Sequence, residues 1–282
     1  MTDLNDTTFI IPIKIDCEDR INNFNRNLKY LNFNFKTNVI IYEQGDFIYS
    51  LRKDIIQKHQ NLNFIFLHSL DSELFHRTKY LNKMLDIVET PVVCNYDIDV
   101  IFEKGVYKKA QELIKHNIFD MVYPYGKGYF QIEIFKHANL QEFLNSPTIH
   151  NILTNQSKYN SYSEYPFFIK YAEFGQAIFL KTEAYRKLGG ENENFISWGP
   201  EDQERFYRFN KLKLKITWLD NFIFHFDHER GINSGYSNPN FKHNKDVFEN
   251  IKKMNDCEFY NYYKNQEYYK QYKNIKFDTF QQ

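Results

Sequence analysis

The chain has 282 residues, 42% of them hydrophobic, enough to bury one sizeable core at the upper end of what a single domain holds. Lys+Arg and Asp+Glu each total 36, so there is no basic surplus for neutralising nucleic-acid phosphates, and no nucleic-acid partner is expected. The polar start, Met1 to Thr8, lacks a signal pattern, and no later apolar run approaches the roughly 20 residues that span a bilayer, so the expectation is a soluble, cytoplasmic protein.

From Thr8 to about Tyr125, β-rich apolar runs alternate with helical patterns, the sequence form of βαβ units around a mostly parallel central sheet flanked by helices. The runs are 9–13, 39–42, 64–67, 92–96 and 121–123. Between the first two, Ile21, Phe24, Leu28 and Leu31 recur at helical spacing, which predicts a helix over 19–31. Similar patterns predict helices over 50–59, 74–88 and 104–115, completing an α/β layer whose ligand lies at the carboxyl ends of the strands.

The stretch 144–166, rich in Asn, Ser and Tyr, reads as a long loop and a candidate acceptor-site flap. A strand over 177–180, a helix over 182–188, a Gly189-Gly190 stop and a helix opening at Pro200 follow, then strands near 214–219 and 222–225. Beyond Asn240 the composition shifts to Lys, Asn, Tyr and Phe, which predicts helices packed on the rest of the chain; weak peripheral membrane contact is the alternative. The expected organisation is a catalytic domain over 1–239, with a nucleotide-binding half (8–125) and an acceptor half (126–239), and a helical tail over 240–282. Cys17, Cys94 and Cys257 are odd in number and widely spaced, and read as reduced thiols rather than a zinc or disulfide framework.

Asp97-Ile98-Asp99 directly follows the run 92–96, so two carboxylates emerge at the carboxyl end of a central strand. Beside a nucleotide diphosphate they make sense only around a hard divalent cation, magnesium or manganese. Alone, such a string is equally a polar strand-to-turn junction. A second constellation is more specific: Trp198-Gly199-Pro200-Glu201-Asp202 sets an aromatic and a tight turn before paired carboxylates at a helix start. That supplies a face for a sugar ring and acids to bind or deprotonate its hydroxyls, although acids there also complement a helix macrodipole.

The order of these motifs, with a histidine after the following strands, resembles that of GT-A glycosyltransferases, namely the β-1,4-galactosyltransferase C-terminal domain family and the transferase domains of bacterial chondroitin polymerases. The resemblance runs from about Thr8 to Asn233 and departs where Pro200 replaces the second glycine of Trp-Gly-Gly-Glu-Asp, stiffening the turn. It implies a GT-A-like fold and an inverting transferase that moves a hexose or N-acetylhexosamine, galactose-type, from a UDP-sugar to a glycan or glycolipid acceptor, with manganese or magnesium as the cofactor. By the same resemblance Asp99 binds the metal and Asp97 lies near the ribose or a metal-bound water. Asp202 is the general base, and Trp198, Gly199, Glu201 and Gly175 hold donor or acceptor sugar. His225 completes the metal shell, ahead of His228, and its imidazole tilts the choice towards manganese. Pro12, Ile13, Asp16 and Arg20 after the first strand, and Glu43 at the end of the second, grip uracil and ribose. Arg77 is a further expected nucleotide contact, and Arg230 a phosphate contact. Two other readings stay open: a metal-dependent nucleotidyltransferase, which would favour a Gly- and Lys-rich phosphate loop that the N-terminus lacks, and an inactive glycan-binding module.

Overall fold

A computed structural model describes residues 1–70, 74–135 and 167–270. In chain order the strands are β1 (Thr2–Ile13), β2 (Phe35–Gln44), β3 (Leu62–Ser69), β4 (Val92–Tyr96), β5 (Val100–Phe102), β6 (Met121–Tyr123), β7 (Gly128–Ile134), β8 (Phe167–Ala172), β9 (Ala177–Lys181), β10 (Ile216–Trp218) and β11 (Ile223–Phe226). The helices that bear on the site are α1 (Glu18–Asn34), α2 (Phe47–Ser50), α3 (Arg52–Lys58), α4 (Arg77–Asp86), α5 (Lys104–Lys115), α6 (Thr182–Lys187), α7 (Glu201–Lys211), α8 (Phe241–Lys253), α9 (Asp256–Lys264) and α10 (Glu267–Lys270).

Runs such as Phe9-Ile10-Ile11 and Val92-Val93-Cys94 are fully buried, as strands covered on both faces require. They form the centre of a seven-stranded sheet of order β10-β6-β9-β4-β1-β2-β3. Pairing is parallel from β4 to β3 and between β10 and β6, while β9 runs antiparallel between β6 and β4. The mostly parallel layer read from the sequence is therefore present, with one reversed strand. A second sheet, of order β5-β11-β7-β8, was not foreseen. Its strands β7 and β8 place Gln131 and Lys170 on the cleft and bury Glu133, so apolar side chains occupy only alternate positions.

Local corrections follow from hydrogen bonding. β1 begins at Thr2, with a register shift between Leu4 and Thr8. The helix expected over 50–59 is two short helices meeting at Leu51. Pro200, expected inside the first turn, is instead the residue before it, at φ −85° and ψ 31°. The flap expected at 144–166 and the end of the tail, 271–282, lie outside the described residues. Among those described, no helix is long and apolar enough to cross a membrane.

The helices after Asn240 share the main core through Phe248, Ile251, Phe259 and Tyr263. The Tyr263 hydroxyl donates to the Glu204 carboxylate, tying α9 to α7. Asn244 on α8 clasps the turn before α7: its amide donates to Ile196 O (2.8 Å) and Trp198 O (3.0 Å), and its oxygen accepts from Ile196 N (3.1 Å). That approach requires glycine at 199, because a Cβ there would sit 2.7 Å from Asn244 Cβ. Gly199→Ala is expected to cost about 1–3 kcal/mol, the usual range for overpacking a tight contact. Urea unfolding measures this directly, and an unchanged midpoint would contradict the clasp.

Candidate active site

The chain crosses from the large sheet to the small one at Asp97-Ile98-Asp99. Asp97 N donates to Gln176 O (2.9 Å) and Phe226 N donates to Asp99 O (2.7 Å), while Ile98 is buried. The two carboxylates are thereby fixed on a rigid junction and are served by different neighbours.

Asp99 belongs to a buried cluster with His225 and His228, whose ligand atoms all lie within 4.8 Å of one another. His228 Nε2 is 3.1 Å from Asp99 Oδ2, and His225 Nε2 is 3.9 Å from it. The other nitrogen of each ring faces an oxygen: His228 Nδ1 lies 2.8 Å from Glu229 O, and His225 Nδ1 lies 3.1 Å from Glu133 Oε1. With Nδ1 of both rings turned towards these oxygens, Nε2 of both faces Asp99, the disposition usual for metal-ligating histidine. One carboxylate oxygen and two imidazole nitrogens fit a divalent ion, and manganese better than magnesium. His228, ranked second in the sequence, is thus the nearer partner of Asp99. Asp97 lies outside the cluster, and Arg77 Nη2 donates to its Oδ1 at 2.9 Å.

Burial opposes the charge on Asp99, but His225, His228 and Arg20 outweigh it and hold the carboxyl well below the usual range. For His225, burial pulls the imidazole down, yet Asp99 and Glu133 prevail and raise it. Asp97 is raised, by burial first and then by Asp99 and Asp202 against the pull of Arg77.

The second wall is the turn at Trp198 and the start of α7. Asp202 Oδ1 receives Arg205 Nη2 at 2.5 Å and lies 3.6 Å from Arg77 Nη1. Arg205 also donates to Glu191 Oε1 (2.8 Å), which Asn95 and Tyr185 bond as well. Gly175 leaves room for the base candidate, since a Cβ there would be 3.0 Å from Asp202 Oδ2. Glu201 is 5% exposed, and its Oε2 has no hydrogen-bond partner. Burial, then Asp202, push its carboxyl up to about 8, so at neutral pH it carries a proton to donate. Trp198 stacks on Phe241 (5.2 Å) and meets Tyr236 edge-on (5.1 Å).

Both walls bound one cleft of about 520 Å³. Pro12, Ile13, Asp16 and Arg20 line it from the end of β1. Arg77, Asp97, Asp99, Gly175, Trp198, Gly199, Glu201, Asp202, His225, His228 and Arg230 line the remainder. Glu43 does not. It is buried and accepts from Ile48 N (3.0 Å) and Tyr49 N (2.9 Å), so its carboxylate holds the start of α2 instead of facing the cleft. The sequence reading passed over Gln131 and Lys170 from the second sheet, and Phe75, Asn233 and Tyr236. Alternation of Tyr129, Gln131 and Glu133 with apolar residues was the signal available for β7.

Residues 157–229 match the family described as the N-terminal domain of galactosyltransferase. That segment carries the Gly189-Gly190 stop, the Trp198 turn and both histidines. Among solved structures, the chain is similar to S. aureus TarS 1–349 in complex with UDP-GlcNAc, at 16% identity and TM-score 0.54, over 90% of this chain and 68% of that one. It is also similar to the mannosyltransferase PcManGT from Pyrobaculum calidifontis in complex with GDP-Man and Mn2+, at 15% identity and TM-score 0.51. This second match covers 80% of the chain but only 58% of the mannosyltransferase. A search of curated proteins finds no match. The fold is that of GT-A glycosyltransferases, and residues 157–229 match a galactosyltransferase family, as the resemblance in the sequence implied.

Two expectations follow. Manganese at about 100 times its Kd should stabilise the protein by about 2.7 kcal/mol. Thermal shift should show this for the wild type but not for Asp99→Ala or His228→Ala, and the gain should shrink as acid protonates His225; equal shifts in all three would contradict the site. For Glu201, a folded value near 8 lies above the ordinary 4.5, so the stability it contributes is full below the lower value and is lost as pH rises through the upper one. Glu201→Gln should therefore gain on the wild type between pH 5 and pH 9 by roughly 1 kcal/mol or more. Parallel melting profiles of the two proteins across that range would count against a buried, protonated Glu201.

Proposed function

We propose that this chain is a divalent-metal-dependent, inverting glycosyltransferase that moves a hexose or N-acetylhexosamine, galactose-type, from a UDP-sugar to a glycan acceptor. The observation that carries this reading is the meeting, in one cleft, of the Asp99–His225–His228 cluster on one wall with Trp198, Glu201 and Asp202 on the other. A divalent ion held by that cluster would act as a Lewis acid towards the diphosphate leaving group.

The chain's own residues account for the rest. Asp202, held by Arg205 and Arg77, accepts the proton of an acceptor hydroxyl as its oxygen attacks the anomeric carbon. The bond from that carbon to the diphosphate oxygen breaks in the same displacement, UDP departs, and the anomeric centre inverts. Glu201, protonated, donates to a sugar oxygen, while Trp198 offers the free part of its ring to a sugar face. Pro12, Ile13, Asp16 and Arg20, at the end of β1, receive the uridine. Arg77 bonds Asp97 and neighbours Asp202, so its role is to set the spacing of the acids as much as to meet the nucleotide.

The test is release of nucleoside diphosphate from a panel of UDP-sugars, with GDP-mannose included, in the presence of manganese. One donor should turn over, and Asp202→Asn should lose about 10²–10⁴-fold in kcat while still binding that donor. Wild-type protein that binds no nucleotide-sugar with manganese present would overturn the reading.

A further inference from the structure

We propose that Glu133 is the positioning residue of the metal site: it fixes the His225 ring so that Nε2 is presented as a ligand. This rests on the metal-dependent reading above but concerns a residue on a different strand. The register of β7 against β11 sets Glu133 directly opposite His225, so the two side chains share a face of the small sheet. Glu133 is 1% exposed, and its Oε1 lies 3.1 Å from His225 Nδ1 and 3.2 Å from Lys170 Nζ. Its Oε2 accepts from Gln131 Nε2 at 2.8 Å, and Gln131 Oε1 in turn accepts from Gln176 Nε2 at 2.5 Å.

A buried carboxylate is tolerated only where partners satisfy it, and every partner here fixes its orientation as well. A neutral imidazole carries one N–H. With a carboxylate facing Nδ1, that proton resides on Nδ1 and the lone pair on Nε2, towards Asp99. His228 achieves the same outcome with the Glu229 carbonyl. Lys170, on the neighbouring strand β8, is the countercharge beside Glu133.

The experiment titrates manganese calorimetrically into the wild type, Glu133→Gln, His225→Ala and the double variant, with circular dichroism to verify folding. Glu133→Gln should weaken manganese binding by about 10–100-fold. It should add nothing in the His225→Ala background. Folded Glu133→Gln with wild-type affinity, or equal further loss in both backgrounds, would overturn the proposal. A wild type that binds no manganese would overturn the metal reading itself, and this inference with it. A readout without any variant is the imidazole ¹⁵N spectrum of the metal-free wild type at alkaline pH. It should show His225 as the Nδ1–H tautomer, and the Nε2–H tautomer would refute the assignment.

Discussion

Two carboxylates stand two residues apart at the end of β4, largely out of water, and each must be compensated separately. Asp99 looks towards the small sheet, where two imidazoles and Arg20 surround it. Asp97 looks towards α4 and α7, where charges alternate in a chain from Asp97 through Arg77, Asp202 and Arg205 to Glu191. Buried ion pairs add little net stability, but losing one member strands a charge and costs several kcal/mol. This alternation therefore specifies one arrangement of the acids more than it strengthens the fold. The Asp99–His225–His228 cluster and Asp202 both line the same cleft.

Close backbone approach sets the position of those walls. At Gly190, with φ +62°, a Cβ would lie 2.3 Å from Asn82 Oδ1, and the Asn82 amide reaches across to Glu191 O. Arg208 reaches back from α7 to Leu188 O and Gly190 O, which ties the glycine stop to the helix bearing Asp202. Asn244 closes the turn from the other side. The helices after Asn240 are consequently part of the site's framework, since α8 holds the Trp198 turn and α9 holds Glu204.

Much of this was legible from residues in order. The buried runs 9–13, 39–42 and 92–96 are rich in β-branched residues and could be little else than central strands, and the acids at 97 and 99 inherit their place from the strand before them. The small sheet escaped because β5 has three residues and β7 directs polar side chains inward. With it went Glu133, whose role depends on strand register, a property that local sequence does not encode. Both histidines join Asp99 in the cluster, His225 from within β11 and His228 from just beyond it, and local sequence does not show that the loop's path brings the second ring in as well. Glu43 was misjudged because a carboxylate at a strand end serves a nearby helix start as readily as a ligand.

The proposed function requires a divalent ion and a nucleotide-sugar to share the cleft lined by Asp99 and Asp202. Its most direct test is anomalous scattering at the manganese edge from crystals grown with manganese and UDP. One peak bonded to Asp99 Oδ2, His225 Nε2 and His228 Nε2, with the diphosphate beside it, is expected. A peak held by Asp97, Glu201 or Asp202, or UDP bound with no manganese near the histidines, would contradict it.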